Sequence, residues 1–101
     1  MIYVDEPWEV PIDLMTAPSC FRGRLASHLC ADTEEELRAY AVKIGMKESW
    51  IQYPGTPRVH YDLVGAMLVK VLKEVGNGVT LMSRRELAAM TLARRTNAST
   101  A

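Results

Sequence analysis

The chain has 101 residues, 49% of them apolar, with twelve Lys plus Arg against twelve Asp plus Glu. That length predicts one domain burying ~65% of its unfolded surface, a thin margin that leaves homo-oligomerisation open. Balanced charge argues against a general nucleic-acid or membrane-surface binder, which carries a basic excess, and no apolar run approaches the ~20 residues that span a bilayer.

"MIYVD" is β-branched and aromatic and predicts a first strand, stopped at Glu6-Pro7. Residues 6–24 hold Pro7, Pro11, Pro18 and Gly23 among Trp8, Val10, Ile12, Leu14 and Met15. Proline and apolar residues together predict an ordered loop that covers something, in the manner of a lid. The cysteines, Cys20 and Cys30, are too few for a disulfide scaffold and form no Cys-x-x-Cys pair. The N-terminal stretch is acidic and lacks a secretory apolar core, so free thiols in the cytoplasm are expected.

"LASHLCAD" predicts a second strand, with Ala26, His28 and Cys30 on one face and Ser27, Leu29 and Ala31 on the other. In "DTEEELRAYAVKIG", Thr33 and Glu36 form a capping box, and Leu37, Tyr40, Ala41 and Ile44 keep helical spacing up to Gly45. "SWIQY" predicts a third strand, closed by Pro54-Gly55. A second helix is expected from about Asp62 to Val75, with Leu63, Met67, Val71 and Val75 on one face and Gly76 as its stop. "GVTLM" predicts a fourth strand, and Ser83 with Glu86 caps a third helix through Leu92. Residues 1–93 are thus expected as a single domain, and 94–101 as a disordered polar tail.

Strands alternating with helices predict an α/β fold: a small mixed sheet of about four strands packed with three helices, at least partly parallel. In such sheets ligands bind outside the carboxyl ends of the strands. Asp5, Asp32 and the 53–62 stretch fall just past those ends and are expected to converge.

The pieces "IYVD", "SHLCADTEEELRAYAVKIG" and "HYDL", in this order and spacing, resemble the domain of unknown function numbered 4031, found in small bacterial and phage proteins. The likeness runs from Ile2 to about Leu87, departs at "GNGVT" and implies no established activity. It implies that Asp5, His28, Asp32, His60, Tyr61 and Asp62 are the motif's polar positions.

Each candidate has a plain structural reading beside the functional one. His28 suits a buried imidazole with one partner as well as an acid–base group or ligand. Asp32 and Asp62 each stand where an N-cap would. Asp5, ending an apolar strand, has no such local role. His60 and Asp62, two apart in an extended segment, point the same way, so the carboxylate can orient the ring. Tyr61 suits ring packing. Arg58 suits either an ion pair or an anionic ligand. Arg84 and Arg85 open a helix, where cations are slightly unfavourable, and read as solvated or as an interaction surface.

Two histidines and several aspartates suffice chemically for Zn²⁺, Mn²⁺ or Mg²⁺, with Asp5, His28, His60 and Asp62 as candidate ligands and Cys30 beside them. No compact ligand motif is present, and neither a nucleophile elbow nor a phosphate-cradling loop occurs. Ser27 and His28, adjacent on a strand, face opposite ways.

Three readings follow. In the first, Asp5, His28, Asp32, Arg58, His60, Tyr61 and Asp62 form a pocket under the Trp8 loop for a small polar, anionic or nucleotide-like ligand. Trp8, Trp50 and Tyr53 would supply a stacking wall. In the second, the chain is a hydrolase of phosphoesters or nucleotides, metal-assisted or acting through His28, His60 and Asp62 as acid–base groups. In the third, the cluster only stitches loops together in a partner-binding protein.

Overall fold

A computed structural model describes residues 1–11 and 23–100, with side chains as far as residue 93. The elements run β1 (Ile2–Asp5), β2 (Trp8–Glu9), β3 (Leu25–Ala31), α1 (Glu34–Lys43), β4 (Tyr61–Val64), α2 (Gly65–Leu72), β5 (Val79–Met82) and α3 (Arg84–Thr100). The fold is α/β with a mixed sheet: β1 and β5 run parallel, while β3 pairs antiparallel with β1, β2 and β4.

β3 is the axis of the sheet. Ala26 pairs with both Trp8 of β2 and Val64 of β4, and Leu29 with both Val4 of β1 and Tyr61 of β4. β4 therefore holds one edge of β3, and β1 and β2 lie in line along the other. Between Val4↔Leu29 and Trp8↔Ala26 three residues, 5–7, face only two, 27 and 28. That extra residue is a bulge, and Pro7, which has no N–H to give a ladder, sits in it.

Side-chain alternation then divides the sheet into two faces. Val4, Leu29, Tyr61 and Leu63 are fully buried and pack in one core with Leu37 and Ala41 of α1 and Leu68 and Val71 of α2. Each such large side chain contributes ~1.5–3 kcal/mol of burial, which fixes the register on that face. The opposite face carries Asp5, His28 and Cys30 and looks toward α3.

Local chemistry accounts for the ends of the helices. Thr33 Oγ1 accepts from the Glu36 N–H at 3.1 Å, while the Glu36 carboxylate takes the Met1 ammonium at 2.6 Å in place of the reciprocal cap bond. At α3 the box closes in both directions, Ser83 Oγ from the Glu86 N–H at 3.0 Å and the Glu86 carboxylate from the Ser83 N–H at 3.1 Å. The Lys70 ammonium donates to the Ile44 carbonyl at 2.8 Å, satisfying the C-terminal end of α1.

Two expectations are corrected. "SWIQY" is a 3-10 turn over Glu48–Trp50 followed by a single bridge, Gln52↔His60. Tyr53, at φ +53, and Pro54 then turn the chain away from any further pairing. The helix expected from Asp62 begins at Gly65, because residues 61–64 are spent on β4. Gly65, at φ +58, makes the strand-to-helix turn. Residues 12–22 of the expected lid lie outside the described residues. α3 carries its helical backbone through most of the segment expected as a polar tail.

Candidate functional site

Asp5 is the starting point. It is 1% exposed, at the bulge, and both of its oxygens go to one residue. Oδ1 accepts the His28 main-chain N–H at 2.6 Å, and Oδ2 accepts from the His28 ring at Nδ1, 2.7 Å away. The carboxylate thus replaces the ladder acceptor that the bulge removes, and it orients the imidazole in the same act. Its hydrogen bond raises the His28 pKa above the ordinary 6.5, and this outweighs the opposing effect of burial.

β4 brings the second pair. His60 and Asp62 lie on the same side of their strand, and Asp62 is cross-strand partner to His28. Asp62 Oδ1 stands 3.3 Å from His60 Nε2 and 3.9 Å from His28 Nε2. Burial pushes the Asp62 carboxyl up, but the hydrogen bond and charge of His60, with the charge of His28, leave it below its ordinary value. The His60 Nδ1 donates to the Arg58 carbonyl at 2.7 Å. The two imidazoles meet edge to face, with centroids 4.9 Å apart. One donor atom from each of His28, His60 and Asp62 lies within 4.8 Å of the others, a spacing that a single metal ion can close.

These groups lie at the side of an open cleft of about 620 Å³ between the sheet and α3. The sheet side contributes Asp5, His28 and Cys30, with Arg58 and His60 at the rim; the helix contributes Arg84, Leu87, Ala88, Thr91 and Leu92. The helical set recurs at three- and four-residue steps and so forms one stripe. The Arg58 guanidinium lies 4.6 Å from the Tyr53 ring centroid and that of Arg84 5.3 Å from the Trp8 ring. Among the described residues neither guanidinium is paired with a carboxylate.

Of the eight sequence candidates, Asp5, His28, Arg58, His60 and Asp62 come together, and Trp8 joins them through Arg84. Asp32 and Tyr61 do not. Because β3 runs antiparallel to β1, its end lies beside the start of β1, and Asp32 binds the Met1 ammonium at 3.0 Å and the Tyr3 hydroxyl at 2.8 Å. Thr33, not Asp32, is the cap of α1, and Val64, not Asp62, precedes α2. Tyr61 faces the core, 0% exposed, and its hydroxyl donates to the Glu48 carbonyl at 2.9 Å. Trp50 is exposed, with the Lys47 ammonium above its ring, and does not line the cleft. Ser27 is buried on the core face, away from the His28 ring. Arg84 and the α3 stripe were absent from the candidate ligand set; the signal for Arg84 was a cation placed at a helix start.

No helix among the described residues is long and apolar enough to cross a membrane. No curated protein and no solved structure matches the chain. A family model does, over residues 10–94, which takes in β3, β4 and α2 with His28, His60 and Asp62 but begins after Asp5. The chain belongs to the family described as protein of unknown function (DUF4031).

Proposed function

We propose that the chain is a binding module for a small anionic molecule of nucleotide-like size, held in the cleft between the sheet and α3. The observation that carries this reading is the approach of Arg58, Arg84 and the Asp5-oriented His28 to one cleft, with no carboxylate among the described residues neutralising either guanidinium. Forked guanidiniums suit phosphate or carboxylate groups, and Leu87, Ala88 and Leu92 offer an apolar strip to an uncharged part. The cleft volume falls within the ~300–1,000 Å³ range of small-molecule sites.

Thermal-shift and calorimetric titration with inorganic phosphate, nucleoside mono- and triphosphates and the uncharged nucleosides tests it. The phosphorylated compounds are expected to bind and the nucleosides to bind at least tenfold more weakly. Arg58→Ala and Arg84→Ala should each lower affinity ~10–100-fold, the equivalent of ~1.5–3 kcal/mol per charged hydrogen-bonding group. Equal binding of nucleoside and nucleotide, or unchanged affinity in both variants, refutes the reading.

A second reading is supported by the Asp5–His28 pair, which holds a ring nitrogen toward the cleft as a general base would be held. Turnover of a phosphoester in the same screen, lost in His28→Gln, would make the chain a hydrolase.

A further inference from the structure

We infer that His28, His60 and Asp62 form a binding site for one divalent transition-metal ion of the Zn²⁺ type, with open coordination positions toward the cleft. The site shares the cleft with the anion-binding reading but does not depend on it.

The hydrogen-bond partners fix the tautomers. His28 Nδ1 faces the Asp5 carboxylate and His60 Nδ1 faces a main-chain carbonyl, and both partners can only accept. Each Nδ1 therefore carries a hydrogen, which leaves Nε2 as the nitrogen a metal ion would take, in place of any proton there. Both Nε2 atoms point at Asp62 Oδ1, from 3.9 and 3.3 Å. Two ring nitrogens and a carboxylate oxygen thus converge on one point, a set of ligand atoms that a metal ion can bridge in place of a proton shared with Asp62.

The surroundings match those of a metal-bound histidine. Metal-ligating imidazoles give their remote N–H to a carboxylate or a main-chain carbonyl, which sets the ring and strengthens the donor nitrogen. Here one ring has each kind of partner. The distances also fit. Bonds of ~2.0–2.1 Å in a tetrahedral shell place ligand atoms roughly 3.3–3.4 Å apart. The His60–Asp62 separation of 3.3 Å is already there; His28 has to close on Asp62 by about half an ångström from 3.9 Å, and the two imidazole nitrogens have to close from within 4.8 Å of each other.

Donor chemistry selects the metal. Two imidazoles with one carboxylate favour Zn²⁺, Fe²⁺, Co²⁺ or Ni²⁺ over Mg²⁺ and Ca²⁺, which take oxygen shells. Three protein ligands leave at least one position for water or for an oxygen of an anion held by the arginines. Asp5 is a positioning residue in this arrangement, since both of its oxygens are engaged by His28.

The test uses the full chain, stripped with a chelator and dialysed. Zn²⁺ and Co²⁺ are titrated calorimetrically, and Co²⁺ is followed by its visible absorption. The wild type is expected to bind one ion per chain, with visible bands of a four- or five-coordinate centre. His60→Gln and Asp62→Asn, both at partly exposed side chains, should weaken binding at least 100-fold while circular dichroism stays unchanged. Asp5→Asn should weaken it ~10–100-fold by releasing the ring it orients. Should one variant fail to fold, imidazole ¹⁵N spectra of the wild type decide the matter. On Zn²⁺ addition the Nε2 resonances of both histidines should shift and the Nδ1 resonances should keep their protons. A wild type that takes up no metal, or takes up as much as His60→Gln and Asp62→Asn do, overturns the assignment.

Discussion

Replacing Asp5 by asparagine isolates the contact that organises the cleft. The carboxylate accepts two hydrogen bonds from His28, from the main-chain N–H at 2.6 Å and the ring at 2.7 Å. Asparagine keeps the first, through its carbonyl oxygen, but sets an NH₂ group against the Nδ1 hydrogen. The ring has to change tautomer or turn away. A charge-assisted hydrogen bond contributes ~1.5–3 kcal/mol, and because the His28 side chain is 35% exposed the lower end applies, ~1–2 kcal/mol. Asp5→Ala removes both bonds and leaves a buried N–H without an acceptor, ~3–5 kcal/mol in all. Urea unfolding with chelator present measures both, and at slopes of ~1–3 kcal/mol per molar the asparagine variant should lose on the order of 1 M in midpoint. An Asp5→Asn midpoint equal to wild type at unchanged slope would refute the reasoning, as would equal losses in the two variants.

The same pair sets a pH dependence. His28 is raised in the folded chain, so its contribution to stability is complete below the unfolded value of 6.5 and is lost as pH rises through the folded one. Urea midpoints taken from pH 5.5 to 9 in chelator should fall across that window in the wild type and fall less in Asp5→Asn. Asp62 is lowered, so its contribution is present above 3.8 and disappears as pH falls through its folded value; Asp62→Asn should flatten the acid limb of the same profile. Tyr61→Phe should cost ~1 kcal/mol through the orphaned Glu48 carbonyl, read by urea unfolding, and leave ligand and metal titrations unchanged. Gly65→Ala should cost ~1–2 kcal/mol by thermal or urea unfolding, since a Cβ there meets the Arg24 guanidinium at 2.8 Å on a backbone with φ +58.

How far the sequence could be read follows from where the information is stored. Strands at "IYVD" and "LASHLCA", the N-cap at Thr33 and the capping box at Ser83 are local signals, and the structure has them in place; only the return bond from Glu36 is missing, its carboxylate being on the Met1 ammonium. "HYDLV" misleads because Leu63, Met67 and Val71 share a four-residue step that continues unbroken from β4 into α2. Only Gly65 marks the turn between them. The likeness of His60 and Asp62 in direction needs only a two-residue period, so it was legible. The Asp5–His28 contact was not, because it depends on antiparallel pairing and on one extra residue in β1's path. Asp32 was grouped with the site on the premise of parallel neighbours, and the reversed direction of β3 carries it to the far end. Tyr61 sits between two cleft residues in sequence, yet parity sends it into the core. The α3 wall is a tertiary fact, since nothing within 84–92 says which sheet face it will meet.

The bulge at residues 5–7 makes the length of that short stretch as constrained as its chemistry. Deleting one residue there would leave two residues facing two, and a regular ladder could run from Val4↔Leu29 to Trp8↔Ala26 with both registers kept. The core face of β1 would survive, but the local path that lets the Asp5 carboxylate stand in for a ladder acceptor would be gone. Point substitutions in this segment can be graded, but losing the extra residue would erase the imidazole's anchor at one stroke.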